Sequence, residues 1–297
     1  MIFNYIFHPI LQFCALIFST LLYIVGWKKT VIAQNTKNTI NLKTLNDENK
    51  SGNTFNFTQP FSRYQLLFAL SYDFLSFILF RVSSKKFHPT IYISKSSQEN
   101  IDEIIGHNLK QRPHILYSMH FGNFEWMAQK IKNYGIDLQV SIHPMHQTLA
   151  SQFLQWLRKT PTAKNQTQNY TRDFRNQFQL IKDNLVKGKT LGWMMDQNPQ
   201  KPSSIISPFL NLTTQWNPIP IYLEKKLCQE KYYCYITRES GIVFNSTYSI
   251  HFKKTKTPYP HCFQKFKDII LLHPNHYYGF THRRFKNSHP ELYTKKI

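Results

Sequence analysis

The chain of 297 residues is long enough to bury a sizeable core and is most simply one domain with an appendage. Its hydrophobic fraction of 41% and aromatic fraction of 15% exclude a wholly disordered chain. The formal net charge of +21 favours an anionic partner, either phosphates at a membrane surface or a nucleic acid, although a lysine-rich composition by itself produces part of that excess.

The N-terminal segment has the pattern of a membrane helix. Residues 9–27 carry no formal charge and have about the length that crosses the hydrocarbon core of a bilayer. Lys28 and Lys29 follow this run, whereas a secretory signal peptide carries its positive charges before the apolar run. We therefore predict a membrane anchor helix in residues 1–29, and the positive-inside rule places the bulk of the chain in the cytoplasm. A buried core helix is the alternative.

The next two segments differ sharply in polarity. Residues 30–60 are polar, rich in asparagine and weakly patterned, which predicts a linker or a long surface loop. Residues 61–80 are strongly apolar, but Asp73 lies at their centre. Because a charge in hydrocarbon costs about 2.5–3.5 kcal/mol on insertion scales, we predict a core helix or a helix at the membrane interface, and no second span.

The segment before residue 120 alternates between strand and helix patterns. A strand at 91–94 is followed by a helix that begins near Ser97, a loop, and an apolar strand at 115–119. This alternation predicts an α/β domain, within residues 61–297, that has a mostly parallel sheet flanked by helices. In such domains the functional residues lie at the carboxyl ends of the strands.

The sequence HFGNFEW, residues 120–126, directly follows the apolar strand. Asn123 is a good candidate helix N-cap, which places Glu125 in the first turn of the helix. His120 and Glu125 would face opposite sides of a continuous helix, so they can meet only if a turn separates them. The pair then has the chemistry of a general base and its orienter, because a carboxylate bound to one imidazole nitrogen leaves the other nitrogen to accept a substrate proton. A histidine satisfied within a core is the alternative.

Two polar groups later in the chain are further candidates. Asp196 and Gln197 end an apolar strand, where an α/β sheet places its ligands, although an Asx turn would use the same residues. Arg283 and Arg284 belong to the basic run HRRFK, which suits phosphate contact at an anionic surface; a solvated basic face is the alternative.

The last third of the chain is predicted to contain two strands and a helix. The strands are assigned to residues 217–223 and 231–240, and the helix to residues 261–287, with a basic end. The four cysteines include no CxxC pair, and the nine glycines form no GxGxxG or GxxxxGK motif. These patterns indicate neither a disulfide framework, nor a zinc site, nor a nucleotide site.

Three blocks resemble those of one known family. HFGNFEW closely resembles the His-x-Gly-Asn-Trp-Glu block of the bacterial lipid A biosynthesis acyltransferases of the lauroyl and myristoyl type. Asp-Gln at 196–197 followed by Pro-Phe at 208–209 is similar to a second block of that family, with Asn211 in place of a glycine. The HRRFK tail is similar to a third block, in which Phe280 stands where tryptophan is usual. The resemblance extends over about residues 90–290.

The resemblance implies an acyltransferase domain on the cytoplasmic face of a bacterial inner membrane. Such an enzyme takes a fatty acyl group from an acyl carrier protein thioester and places it on a hydroxyl of a lipid A precursor. It requires no metal or redox cofactor, and its partners are the carrier protein, the lipid acceptor and the membrane, with no nucleic acid.

The resemblance also implies roles for individual residues. His120 would be the base, Glu125 its orienter, and Asp196 with Gln197 would position the substrate. An arginine that the family places before this aspartate best matches Arg158, with Arg172 and Arg175 as rivals. Arg283 and Arg284 would contact the phosphates of the lipid, and no residue is assigned as the oxyanion donor.

Two other classes of function remain open at this point. A related enzyme that acylates a lysophospholipid or a glycolipid would use the same His-x4-Glu dyad. A non-enzymatic basic protein that binds membrane or nucleic acid would account for the charge and for the arginine-rich tail.

Overall fold

The computed structural model describes most of the predicted domain. The described residues are Cys14, Ile17, 63–82, 90–140, 174–197, 199, 203, 205–210, 212–227, 230–239, 247–280 and 288–289. The predicted linker at 30–60 lies outside these residues, as do Arg158, Arg172, Arg283 and Arg284 and, apart from Cys14 and Ile17, the predicted anchor at 1–29. Within the described ranges, no helix is both long enough and apolar enough to cross a membrane.

The helices and strands alternate along much of the chain. The described α-helices are α1 (Arg63–Val82), α2 (Gln98–Leu109), α3 (Phe124–Asn133), α4 (Phe174–Val186), α5 (Ile219–Lys226) and α6 (Phe263–Leu272). The strands are β1 (Thr90–Ile93), β2 (His114–Ser118), β3 (Leu138–Val140), β4 (Thr190–Met194), β5 (Ile206–Phe209), β6 (Leu212–Gln215), β7 (Glu230–Arg238) and β8 (Thr247–Lys254). Short 3-10 turns occupy Lys95–Ser97, Pro274–His276 and Tyr278–Phe280.

The central sheet has six strands in the order β1-β8-β7-β2-β4-β3. β2 runs parallel to both of its neighbours, β4 and β7, while β3 is parallel to β4 and β1 to β8. β7 and β8 form an antiparallel pair, and β5 and β6 form a separate antiparallel ladder. The prediction of an α/β fold with a mostly parallel sheet and helices is confirmed.

Helices cover both faces of the sheet, so β2 is buried along its whole length. Ile115 and Tyr117 point into a core that includes residues of α4, α5 and α6. Leu116 points to the opposite face, into a core that includes residues of α1, α2 and α3. The continuous apolar run that the sequence shows before His120 is therefore a strand with two buried faces.

The apolar segment at 61–80 forms α1, whose side chains Leu66, Tyr72 and Phe77 are buried in the domain. Asp73 is also buried, at 2% exposure. The core-helix alternative is therefore correct for the described part of this segment. The charge at its centre is accommodated because other buried polar groups of the domain meet it.

The prediction of a strand at residues 217–223 is wrong. This segment forms α5, which begins after Pro218 with proline in its first turn. Proline fits there because the first N–H groups of a helix have no intrahelical partner. The strand at 231–240 is confirmed as β7, and the helix predicted at 261–287 ends at Leu272, just before Pro274.

His114, a buried histidine at the start of β2, should make the free energy of unfolding depend on pH in the acidic range. Burial lowers the pKa of His114 to about 4, and its ring nitrogens are hydrogen-bonded to the carbonyl of Arg112, at 3.1 Å, and to the hydroxyl of Thr190, at 2.8 Å. The unfolded chain therefore binds more protons than the folded chain between about pH 6.5 and pH 4. We expect the free energy of unfolding to fall by about 3 kcal/mol over this range because of His114, with little effect above it.

Denaturant unfolding of the wild type and of His114→Gln, each measured at pH 7.5 and pH 4.5, checks this expectation. The variant should show the smaller loss of stability on acidification. An equal loss in the two proteins would contradict the assignment to His114.

Candidate active site

The carboxyl ends of β2 and β4 bring two polar side chains together. The strands are parallel neighbours, with Ser118 opposite Met194, and the N–H of Met195 donates to the carbonyl of Ser118 at 2.8 Å. The segments that follow these two strands leave the sheet at the same edge. His120 and Asp196 therefore meet there, although they are 76 positions apart in the sequence. This is the edge at which parallel α/β sheets hold their ligands.

Asp196 holds His120 by both its ring and its backbone. The distance from His120 Nδ1 to Asp196 Oδ1 is 2.8 Å, and the backbone N–H of His120 donates to the two carboxylate oxygens at 3.1 and 3.2 Å. The side chain of Asp196 is fully buried, whereas that of His120 keeps 18% of its surface exposed. An ionised carboxylate only accepts hydrogen bonds, so a neutral imidazole held in this contact would carry its proton on Nδ1 and the lone pair of a base on Nε2.

A second segment of chain holds the backbone of the His120 loop. The N–H of Tyr278 donates to the carbonyl of His120, and the N–H of Gly122 donates to the carbonyl of His276, both at 2.8 Å. Phe121 and Tyr277 form an isolated antiparallel bridge between these bonds. The position of the imidazole is therefore set by the backbone on either side of it as well as by its carboxylate partner.

The turn after His120 is the predicted one. Asn123 caps α3 by accepting a hydrogen bond from the N–H of Trp126 at 3.3 Å, and its amide donates to the carbonyl of Asp73 at 3.0 Å. Glu125 lies in the first turn of α3, as expected. The N-cap prediction is confirmed.

The structure shows an orienting contact that the sequence did not assign. At Nδ1 the hydrogen-bond partner of His120 is Asp196, whereas the sequence suggested Glu125 for this place. The neighbour of Glu125 in the chain, Phe124, contacts the ring of Tyr278 edge-on, with ring centroids 5.5 Å apart. Burial raises the pKa of the Tyr278 phenol well above its usual value, and Asp73 and Glu125 add smaller contributions in the same direction. Spacing along the chain identified Glu125 as a candidate partner of His120, whereas Asp196 is identified in this role only by the pairing of β2 with β4.

The other predicted site residues are less completely described. Gln197 follows Asp196 in a bend and is half-buried. Arg175 lies on α4, and the structure does not describe its side chain. Phe209 of the predicted Pro-Phe block is buried against Trp216 and Phe263, so it belongs to the core.

A buried polar cluster next to the His120 loop was not predicted. The hydroxyl of Tyr248 donates to Asp73 Oδ1 at 2.8 Å, and Arg238 Nη1 lies 3.9 Å from the same oxygen. Burial raises the pKa of Asp73, while the charge of Arg238 and the Tyr248 hydroxyl oppose that shift. For Arg238, burial is the largest single influence and lowers the pKa, but the charge of Asp73 together with smaller contributions from Tyr248 and neighbouring tyrosines outweighs it, so the net shift is upward. The acidic residue within the apolar α1 pattern was the only sequence signal for this cluster.

Gly122 is the position in the loop where a side chain is least tolerated. Its φ is +55°, and a Cβ placed there would lie 2.3 Å from the carbonyl oxygen of Ile236. We expect Gly122→Ala to displace the His120 loop. For a reaction in which His120 is the base, the rate should then fall about 10²-fold, the cost of a displacement of about 1 Å in a catalytic group.

Gly135→Ala is the matched control, because Gly135 also has a positive φ, of +85°, but has open space around its Cβ position. The two variants are compared by thermal unfolding and by the rate of the reaction in which His120 is the base. Equal rates in both would show that the close approach of Gly122 to β7 does not position His120.

Among the described residues, no group of three or more His, Cys, Asp or Glu side chains is arranged to hold a metal ion. The chemistry that these residues support is proton transfer by an oriented imidazole at the edge of the sheet. No protein-family profile matches the chain, and a search of curated proteins found no match to it.

Proposed function

We propose that the protein is an acyltransferase that moves a fatty acyl group from an acyl carrier protein thioester to a hydroxyl of a lipid A precursor. The observation that carries the proposal is the hydrogen bond from His120 Nδ1 to Asp196 Oδ1 within a loop whose sequence resembles the active block of that family. A partly exposed imidazole with a buried carboxylate partner is the arrangement that general-base activation of a hydroxyl requires.

His120 acts first as the base. Nε2 takes the proton of the acceptor hydroxyl as its oxygen bonds to the thioester carbonyl carbon. The tetrahedral intermediate then collapses, the carbon–sulfur bond breaks, and the imidazolium returns its proton to the leaving sulfur as the thiol forms. Each turnover therefore exchanges a thioester for an ester and leaves His120 neutral again.

Asp196 takes the role of orienter in this proposal. Its carboxylate keeps the proton on Nδ1 and stabilises the imidazolium that forms during attack, without taking the proton itself. Glu125 is assigned a supporting role from the first turn of α3. Gln197, Arg158, Arg283 and Arg284 are proposed to bind the substrate.

The proposed location is the cytoplasmic face of a bacterial inner membrane, with residues 1–29 as the anchor. The net charge of +21 suits both of the proposed partners, because lipid phosphates and an acidic carrier protein are both anionic. These placements rest on the sequence pattern and on the resemblance.

The decisive experiment is acyl transfer by the purified full-length protein in detergent. Acyl carrier protein charged with a lauroyl or a myristoyl group is supplied with either a lipid A precursor or a lysophospholipid, and the products are identified by mass spectrometry. We expect one acyl group to be added to the lipid A precursor, and His120→Ala to form this product at a far lower rate.

The alternatives give different products. Acylation of the lysophospholipid alone would replace the proposed acceptor but keep the reaction class. Absence of acyl transfer to both acceptors, from a folded protein, would contradict the proposed function.

A further inference from the structure

The buried cluster of Asp73, Arg238 and Tyr248 joins three elements beside the His120 loop. Asp73 lies on α1, while Arg238 ends β7 directly opposite Tyr248 of β8. The side chains of Asp73 and Arg238 keep only 2% and 7% of their surfaces exposed. The guanidinium carbon of Arg238 also lies 5.1 Å from the ring centroid of Tyr72, in a cation–π contact.

Stability alone does not account for a charged pair at this place. Transferring two charges from water into a core costs free energy, and well-packed apolar side chains of similar volume generally serve stability as well or better. The pair is not an ideal one either, because 3.9 Å is too long for a hydrogen bond, and Arg238 Nη1 is buried with no hydrogen-bond partner among the residues that the structure describes. An arrangement that is costly and imperfect for stability calls for another role.

The first connection from the cluster to the His120 loop runs through α1. The carbonyl of Asp73 accepts a hydrogen bond from the side-chain amide of Asn123 at 3.0 Å, and the hydroxyl of Ser76 lies 3.3 Å from the same amide. Asn123 is the residue that turns the chain from the loop into α3. The residue that carries the buried carboxylate therefore also holds the end of the loop.

The second connection runs through β7 and the segment 276–278. Gly122 packs against the carbonyl of Ile236, two residues before Arg238. The turn Pro274–His276 also packs against α1, the helix that carries Asp73. Burial lowers the pKa of His276 well below its usual value, and the charge of Arg238 adds to this shift. The carbonyl of His276 in turn holds Gly122, and Tyr278 holds His120.

We propose that the buried Asp73–Arg238 pair, with Tyr248, is a positioning device for the His120 loop. The pair fixes α1 relative to β7 and β8, and these elements hold the loop through Asn123 and through the segment 276–278. Asp73 and Arg238 are positioning residues, since they act on the chemistry only through His120. The kinetic part of this inference rests on the proposed function, whereas its structural part does not.

The test uses the double variant Asp73→Asn/Arg238→Met, in which no buried charge is left unpaired. We expect this full-length variant to unfold cooperatively near the wild-type temperature, with kcat for acyl transfer at least 10-fold lower and KM unchanged. We also expect loss of the downfield proton NMR signal of the His120 Nδ1–H that is shared with Asp196. That signal is assigned by its absence in His120→Ala.

The matched control is Glu224→Gln/Lys231→Met. Glu224 and Lys231 form a second largely buried ion pair, with a distance of 3.2 Å, and Glu224 also accepts a hydrogen bond from the Tyr117 hydroxyl. Lys231 lies near the start of β7, at the end of the sheet away from His120. This control should change the unfolding temperature without changing kcat or the His120 signal.

The outcomes separate a positioning role from a structural one. Wild-type kcat and an unchanged His120 signal in the folded double variant would show that the pair serves stability alone. Should that variant fail to fold, Arg238→Lys decides, because it keeps the charge but loses the planar fork. A lower kcat with a weakened signal in this variant supports the proposal, and wild-type values overturn it.

The proton signal also distinguishes this proposal from the proposed reaction. If the wild-type protein transfers no acyl group, the proposed function fails, while the response of the His120 signal to Asp73→Asn/Arg238→Met still decides whether the pair positions the loop.

Discussion

Replacement of His120 by alanine is expected to lower the rate of acyl transfer by about 10²–10⁴-fold, the contribution typical of a general base. The fold should persist, because the side chain is partly exposed and its ring contact with Phe124 is edge-on at the surface of the loop. The measurements are initial rates of transfer from acyl carrier protein and thermal unfolding of both proteins in the same detergent.

His261→Ala is the control for this variant. His261 is exposed at the turn before α6 and is not part of the site. Its removal should leave the rate of acyl transfer unchanged. A loss of rate in His120→Ala alone would then be due to the role of His120 and not to a general effect of replacing a histidine. A folded His120→Ala protein with the wild-type rate would end the proposed mechanism.

Replacement of Asp196 by asparagine should lower kcat about 10⁴-fold, which is the loss seen when an amide replaces the orienting carboxylate of a catalytic triad. The reason is the tautomer of the imidazole. The backbone N–H of His120 requires an acceptor, so the amide oxygen of asparagine would face it and the amide nitrogen would face Nδ1. An N–H donor at Nδ1 forces the ring proton onto Nε2, which removes the base.

The double variant His120→Ala/Asp196→Asn tests whether the two residues act as one unit. It should be hardly slower than His120→Ala alone, because an orienter without its imidazole has nothing to orient. Losses that multiply in the double variant would show that His120 and Asp196 act independently.

Glu125→Gln provides the comparison between the two candidate orienters. It removes a charge from the first turn of α3 but leaves the Nδ1 contact of His120 in place, so its effect should be far smaller than that of Asp196→Asn. A larger loss in Glu125→Gln than in Asp196→Asn would return the orienting role to Glu125.

The local features of the site could be predicted from the sequence. The apolar run before His120 predicts a strand, Asn123 predicts the N-cap, and the two together predict a strand, a turn and a helix. These features depend on residues close to one another in the chain, where hydrogen-bonding capacity and apolar spacing act directly. The error at residues 217–223 shows the limit of such reasoning, because the short apolar run after Pro218 fits a strand and a helix equally well.

The contacts that make the site depend on which strands are neighbours, and the order of strands in a sheet does not follow their order in the chain. β2 lies between β4 and β7, so His120 meets a carboxylate 76 residues away, while the nearer Glu125 lies in the first turn of α3. Sequence alone thus determined the histidine, its turn and the helix that follows. Only the tertiary structure decided the partner of that histidine and the burial of Arg238 beside Asp73, because parallel strand pairing brings together residues that no local spacing relates.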